Sequence, residues 1–213
     1  MCPTIIKKGV SNLFEQFRGI PTGNICDSND REGAMDPAIQ PLHPRMELVG
    51  TALPVECVPG DNLAIHIAVA QAKPGDVLVI NGGGMVPAGL FGELLATSCI
   101  SHGIIGVVID GCCRDKNELI EMGFPVFVRG ISPNGTTKDT WVSVNSPILC
   151  GGRMVRPGDI IIGDCDGVVV LPHEKAQVVL EKSKDKKKAE EELRMKLADG
   201  ALTLDLLSLR NKI

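Results

Sequence analysis

The chain has 213 residues and carries 22 Lys+Arg against 26 Asp+Glu, a formal net charge of −4. That balance leaves no basic footprint of the kind nucleic-acid binding requires, so no nucleic-acid partner is expected. Only 3% of residues are aromatic, with a single Trp and no Tyr, so stacking platforms for bases or sugars are scarce and recognition falls to polar or metal-based contacts.

At 44% hydrophobic the chain can bury the core of one α/β domain without staples. Its cysteines are Cys2, Cys26, Cys57, Cys99, Cys112, Cys113, Cys150 and Cys165. They form no CxxC zinc pair and no signal peptide is expected, so they read as reduced thiols of a cytoplasmic protein. No apolar run reaches the roughly 18 residues that span a bilayer, so no membrane contact is expected.

Residues 5–18, "IIKKGVSNLFEQFR", alternate charged and apolar positions at helical spacing, and "GIPTGNICDSNDREG" then breaks the pattern with turn formers. "MELVGTALPVECVPGDN" (46–62) reads as a strand in which Pro54 argues for an edge position or a bulge. Asp61 or Asn62 then caps a helix running to about Ala72. From there the rhythm is β-α-β: a buried strand at 74–82, a helix over "GLFGELLATSCISHG", a strand "IIGVVIDG", a short helix "DKNELIEMG" and a strand "FPVFVRG". Strands apolar on both faces and separated by helices imply a parallel or mixed sheet covered on each side. Residues 147–172 change style to short strands with Gly turns and no helix between them, which predicts an antiparallel or barrel-like part. From His173 a long charged helix follows, with apolar positions too sparse for full burial within its own subunit. It is expected to project toward a neighbouring subunit. The expected organisation is a single domain over 1–213: an N-terminal helix and loop over 1–45, an α/β core over 46–172 and a C-terminal helical arm over 173–213.

Three stretches are candidates for chemistry. "VINGGGMVPAG" ends a strand in Gly82, Gly83 and Gly84, but Pro87 stands where a Rossmann fingerprint needs its third glycine, and no Walker loop is present. A nucleotide-dependent methyltransferase therefore lacks its binding pattern, and the glycines are expected to expose backbone amides at the carboxyl end of the strand. The helix beginning near Leu90 places Gly92 and Glu93 in its first turn, so the amides of Leu94 and Leu95 are free to receive an anion. Glu93 alone is equally explained as an offset to the helix dipole. In "VVIDGCCRDKNE" the strand is expected to end at Asp110-Gly111 and turn at Cys112-Cys113, with Arg114 and Asp115 opening a short helix and Glu118 one turn on. Oxygen ligands at that spacing beside an arginine suit a hard divalent cation and an anionic substrate, while the same residues also make a surface salt bridge and an N-cap. No histidine lies near the two cysteines in sequence, so they read as apolar turn residues rather than nucleophiles. His66 reads as a packed helix residue. Lys138 in "NGTTKDT" is the one mild candidate for a Schiff-base lysine.

"PGDVLVINGGG", "GELLATS" and "GVVIDGCCRDKNEL" resemble the family that contains the ribonuclease E activity regulator A (RraA) and the class II 4-hydroxy-4-methyl-2-oxoglutarate / 4-carboxy-4-hydroxy-2-oxoadipate aldolases, from about Asn62 to Gly200. The most specific element is Glu93, then Arg114-Asp115 and Glu118. The resemblance implies an α/β fold, an α/β/α sandwich resembling the swivelling phosphohistidine domain with a projecting C-terminal helix, assembled as a homotrimer or dimer of trimers. It implies a divalent-metal-dependent lyase that cleaves a 2-oxo acid substrate to pyruvate and also decarboxylates oxaloacetate. By that resemblance Asp115, with Glu118, would bind Mg²⁺ or Mn²⁺ and Glu93 would hold water. Arg114, Gly92, Gly84 and the amides of Leu94 and Leu95 would hold the substrate, and Glu190 of a neighbouring subunit, with Glu191 and Glu192 beside it, would complete the site. Glu93 departs from the family's usual Asp, and Cys112-Cys113 from its usual small or aliphatic residues. The alternative within the family is a non-catalytic regulator that binds ribonuclease E.

Overall fold

The computed structural model describes residues 13–213. The N-terminal helix expected over 5–18 lies largely outside that range, and within it Leu13–Phe17 form a 3-10 turn with Phe14 and Phe17 buried. Then follow α1 (Thr22–Ser28), β1 (Gln40–Pro41), β2 (Leu48–Glu56), α2 (Leu63–Gln71), β3 (Asp76–Asn81), β4 (Gly89–Phe91), α3 (Glu93–Ser101), β5 (Gly106–Cys113), α4 (Lys116–Glu121) and β6 (Val126–Ile131). The antiparallel part consists of β7 (Ser143–Val144), β8 (Ile148–Cys150), β9 (Arg153–Val155), β10 (Ile160–Asp164) and β11 (Gly167–Leu171), and the chain ends in α5 (Ala176–Ala198) and α6 (Thr203–Leu206).

The main sheet runs β1-β6-β5-β3-β2-β10-β11. Its centre, β6-β5-β3-β2, is parallel, as the two-sided apolar strands imply, and β10-β11 and β1 add antiparallel flanks. A bridge from Ala34 to Val169 carries the segment before β1 back onto β11, so the sheet nearly closes on itself. Period-2 alternation then sorts side chains between two cores. On β10 and β11, Ile161, Val168 and Val170 join the large core shared with α2 and α3, while Ile160, Ile162, Val169 and Leu171 face a smaller one. That smaller core is closed by Phe14, Phe17, Ile25 from α1 and Ala176, Val179 and Leu180 from α5. Gly163 is required where β10 crosses Phe127, because a Cβ there would sit 2.7 Å from the ring.

Pro54 does not mark an edge: β2 is interior, with β3 on one side and β10 and β7 on the other. The expectation fails because the missing N–H falls in a gap. β10 pairs with residues 48–51 and β7 with 55–56, so Pro54 sits between the two ladders and offers only its carbonyl, which accepts Asn145 N–H at 2.9 Å. The C-terminal helix behaves as its composition implies. Its first turns are buried, whereas from Glu191 to Ala198 only Leu193 is even partly covered. No helix among the described residues is long and apolar enough to cross a membrane.

Candidate active site

The site is built where β5 stops. The strand runs two residues further than its sequence suggests, because Gly89–Phe91 is not the start of a helix but a short strand, β4, that pairs with Cys112 and Cys113. On their other side the same cysteines pair with Gly130 and Ile131 of β6. They are therefore buried strand residues and not a turn, which corrects the earlier placement. Burial, followed by the neighbouring Cys112 and Asp115, pushes the Cys113 thiol up to about 12, and burial raises Cys112 as well. Neither forms a thiolate near neutrality, in line with a structural role.

The turn falls instead at Arg114-Asp115. Asp115 adopts a left-handed conformation, φ 57° and ψ 44°, at the start of α4, a region that non-glycine residues seldom occupy and Asp tolerates better than most. The turn aims its carboxylate back across β4: Asp115 Oδ2 accepts the Glu93 N–H at 3.1 Å and lies 3.5 Å from Arg114 Nε. Arg114 is fixed through its own backbone, whose N–H donates to Phe91 O at 2.9 Å. Between them stands Gly92, the extended residue that begins α3. A Cβ there would overlap Asp115 Oδ2 and lie 3.1 Å from Arg114 Cγ, so any side chain at this position would displace both groups. With Asp115 taking the Glu93 amide, the amides of Leu94 and Leu95 donate to no acceptor among the described residues. They open, with the positive end of the α3 dipole, beside Arg114.

These groups line a cleft of about 220 Å³, the right scale for a small acid. The other walls include residues that the sequence suggested for different roles, Asn62 as a helix cap, His66 as a packed helix residue and Lys138 as a Schiff-base candidate. Asn62 and His66 come from the first turns of α2, and Gly135, Thr136 and Lys138 from the loop after β6. Asn62 Nδ2 donates to Leu90 O at 2.9 Å, while its Oδ1 is buried without a partner. His66 is an exposed residue of the cleft rather than a packed one, and desolvation there, then the charge of Lys138, lowers its pKa below the ordinary 6.5. Asp61 holds the loop to α2, accepting hydrogen bonds from Thr137 Oγ1 at 2.8 Å, Asp139 N at 2.7 Å and Thr140 N at 3.1 Å as well as from Leu63 N at 2.8 Å. Partners 76 residues apart leave no local signal in the sequence, which is why this wall went unread.

Other expected site residues lie apart from the cleft. Glu93 accepts the Thr97 hydroxyl at 3.0 Å one turn along α3, and Glu118 is exposed on α4; neither lines the cleft. Gly84 is not available as an amide donor. The amides of Gly82 and Gly84 both donate to Asp110 O and that of Gly83 to Asn81 Oδ1, so the glycine loop folds onto itself. Glu190 on α5 accepts Asn24 Nδ2 at 2.8 Å and lies 3.6 Å from Lys186 Nζ within its own chain. Lys138 is exposed, so the desolvated lysine of a Schiff-base route is not found there.

As a cation site, Asp115 offers a partly exposed carboxylate at the cleft, with Oδ2 engaged and Oδ1 without a hydrogen bond among the described residues. One carboxylate completed by water and an oxygen-bearing ligand suits Mg²⁺ or Mn²⁺, so the donor set fits a hard divalent ion. Among the described residues the one cluster of three close acidic or thiol groups is Asp164, Cys165 and Asp166. There the Asp164 carboxylate is already taken by Thr22 N, Thr22 Oγ1 and Asp166 N.

The sequence model of a family described as RraA-like, Aldolase/RraA, matches residues 22–170, which include Arg114, Asp115 and the whole cleft. The chain belongs to the RraA-like family. A relative in Halalkalibacterium halodurans, which carries the provisional name 4-hydroxy-4-methyl-2-oxoglutarate aldolase, is 38% identical over 194 residues, covering 91% of this chain and 92% of its own. An uncharacterised protein of Methanocaldococcus jannaschii is 31% identical over 96% of this chain and 97% of its own. Among solved structures, Streptomyces coelicolor RraAS2, described as an unusual member of the RNase ES inhibitor RraA protein family, superposes with a TM-score of 0.80 at 25% identity over 89% of this chain and all of that one. The RraA-like match begins well before Asn62 and ends before α5, so it takes in α1 and leaves out the helix that carries Glu190.

Proposed function

We propose that the protein is a divalent-metal-dependent lyase that releases pyruvate from a small 2-oxo acid, by retro-aldol cleavage of 4-hydroxy-4-methyl-2-oxoglutarate or 4-carboxy-4-hydroxy-2-oxoadipate and by decarboxylation of oxaloacetate. The observation that carries this reading is the convergence of Arg114, Asp115 and the unpaired amides of Leu94 and Leu95 on one small cleft. The names borne by the relatives point the same way.

The difficulty in all three reactions is the same. Breaking the C3–C4 bond, or the bond to the departing CO₂, leaves an electron pair that must become a pyruvate enolate, and that negative charge has to be stabilised as it develops. The substrate carboxylate binds the amides of Leu94 and Leu95, and the α3 dipole and Arg114 favour it there. Arg114 then faces the C2 oxygen, where its guanidinium gains most as the enolate forms. Mg²⁺ or Mn²⁺ held by Asp115 would supply Lewis acidity at that oxygen. For the aldol substrates the C4 hydroxyl must also lose a proton to a water in the cleft; Glu93 stands outside the cleft, bonded to Thr97, which leaves Glu190 of a neighbouring subunit in a homotrimer or dimer of trimers to orient that water.

The test is pyruvate release from 4-hydroxy-4-methyl-2-oxoglutarate and from oxaloacetate, with Mg²⁺ or with EDTA. Turnover that EDTA abolishes is expected for both, and the ratio of the rates separates aldolase from decarboxylase. Absence of turnover in folded, metal-supplied protein, together with tight capture of ribonuclease E, would replace this reading with that of a non-catalytic regulator.

A further inference from the structure

The cleft has a second cationic wall that the proposed chemistry leaves unused. Lys138 lines it from the loop after β6, in the same cleft as Arg114 and the start of α3. None of the ion pairs among the described residues involves Lys138, although pairing is common elsewhere on the surface. An exposed lysine without a partner is ordinarily just solvated. This one is held in place by more than its own side chain. Asp61, only 3% exposed, takes hydrogen bonds from Thr137, Asp139 and Thr140, bracketing Lys138 on both sides. The backbone of Thr137 is pinned as well, donating to Gly60 O at 3.0 Å and accepting from Asn62 N at 3.1 Å. Upstream, Asn134 Nδ2 donates to Pro87 O at 2.8 Å. A loop fixed at three points presents an unpaired lysine to the cleft, beside His66.

We propose that Lys138 is a specificity-determining residue that reads the distal carboxylate of the ligand, so that the cleft selects 2-oxo acids carrying a carboxylate at each end. This rests on the proposed function for the orientation of the ligand, with its 2-oxo end at Arg114. The chemistry is that of two anion sites of opposite construction. Amides and a guanidinium, with the divalent ion that Asp115 would hold, recognise the 2-oxo acid end, and a single flexible point charge recognises the far carboxylate and tolerates small differences in chain length.

The experiment uses the full chain with Mg²⁺ and two ligands that differ only at the far end, 2-oxoglutarate and 2-oxopentanoate, measured by isothermal titration calorimetry. Wild type is expected to bind the dicarboxylate about fivefold more tightly, the scale of one partly screened ion pair. Lys138→Met is expected to abolish that preference while leaving 2-oxopentanoate affinity unchanged, and Lys138→Arg to keep most of it. Equal binding of the two ligands by wild type, a preference that survives in Lys138→Met, or a parallel loss for both ligands would each overturn the assignment. The readout needs no turnover, so the two proposals fail separately. A wild type that discriminates but releases no pyruvate sinks the lyase and leaves Lys138 its role. A wild type that turns over, paired with a Lys138→Met variant that weakens both ligands alike, does the reverse.

Discussion

Gly92→Ala adds one methyl group where it does the most selective damage. The backbone there, φ −154° and ψ −171°, is extended and open to any residue, so no conformational penalty accompanies the change. The new Cβ overlaps Asp115 Oδ2 and presses on Arg114 at 3.1 Å from Cγ and 3.3 Å from Nε. Separations under about 3.4 Å must open, so the carboxylate and the guanidinium are expected to move by on the order of 1 Å, a misplacement that costs about 100-fold in rate. Both side chains are substantially exposed and can yield without breaking the core, so the stability loss should stay within about 1.5 kcal/mol. The assay is kcat/KM for pyruvate release alongside the urea midpoint. Gly23→Ala serves as the control, since a Cβ there meets nothing within 4 Å. A Gly92→Ala enzyme that keeps wild-type kcat/KM would refute the placement of the chemistry at Arg114 and Asp115.

Three other perturbations test the supporting structure. Burial alone would raise the Asp61 carboxyl, but hydrogen bonds from Leu63, Asp139, Thr137 and Thr140 outweigh it and hold it at about 2 against an ordinary 3.8; its stabilisation is present above pH 3.8 and lost as pH falls toward 2. Hydrogen exchange in the 133–140 loop should therefore accelerate across that window in wild type and show a much weaker pH dependence in Asp61→Asn. Arg129→Met removes the partner of Asp110, whose side chain is 13% exposed and pairs with Arg129 Nε at 2.6 Å, and should lower the unfolding free energy by about 3 kcal/mol; a loss under 1 kcal/mol in urea titration would show that Gly151 N–H alone satisfies Asp110. Cys112→Ala should retain wild-type turnover, and the exposed Cys165 should react with a thiol reagent far faster than the buried Cys112 and Cys113; inactivation of Cys112→Ala with folding intact would return the thiol to the mechanism.

The parallel centre of the sheet, the antiparallel part after residue 147 and the exposed end of α5 were all legible, because burial on both strand faces, Gly-punctuated short strands and sparse apolar helix positions are local patterns. The pairing of Arg114 with Asp115 at the mouth of β5 was legible too. What the sequence could not show was Gly89–Phe91 as a strand: three residues carry no periodicity, and they are extended because β5 offers them a ladder. That pairing moved the turn from Cys112-Cys113 to Arg114-Asp115 and started α3 at Glu93. Pro54 misled because its rule concerns a missing donor, and only the tertiary arrangement reveals a gap between two partner strands at that spot. The wall made by Asn62, His66 and Lys138 depends on Asp61 reaching across 76 residues to Thr137, a contact that no window of sequence contains.

The central claim, that Asp115 and Arg114 form the working end of a metal-dependent pyruvate-releasing site, is tested most directly by comparing wild type with Asp115→Ala. The readout is pyruvate release from 4-hydroxy-4-methyl-2-oxoglutarate across a Mg²⁺ titration. Wild type should turn over with saturable dependence on Mg²⁺, and the variant, folded by the same urea transition, should lose at least about 1,000-fold at every Mg²⁺ concentration. An Asp115→Ala protein that matches wild type, or a wild type whose turnover is indifferent to Mg²⁺ and to EDTA, would contradict it.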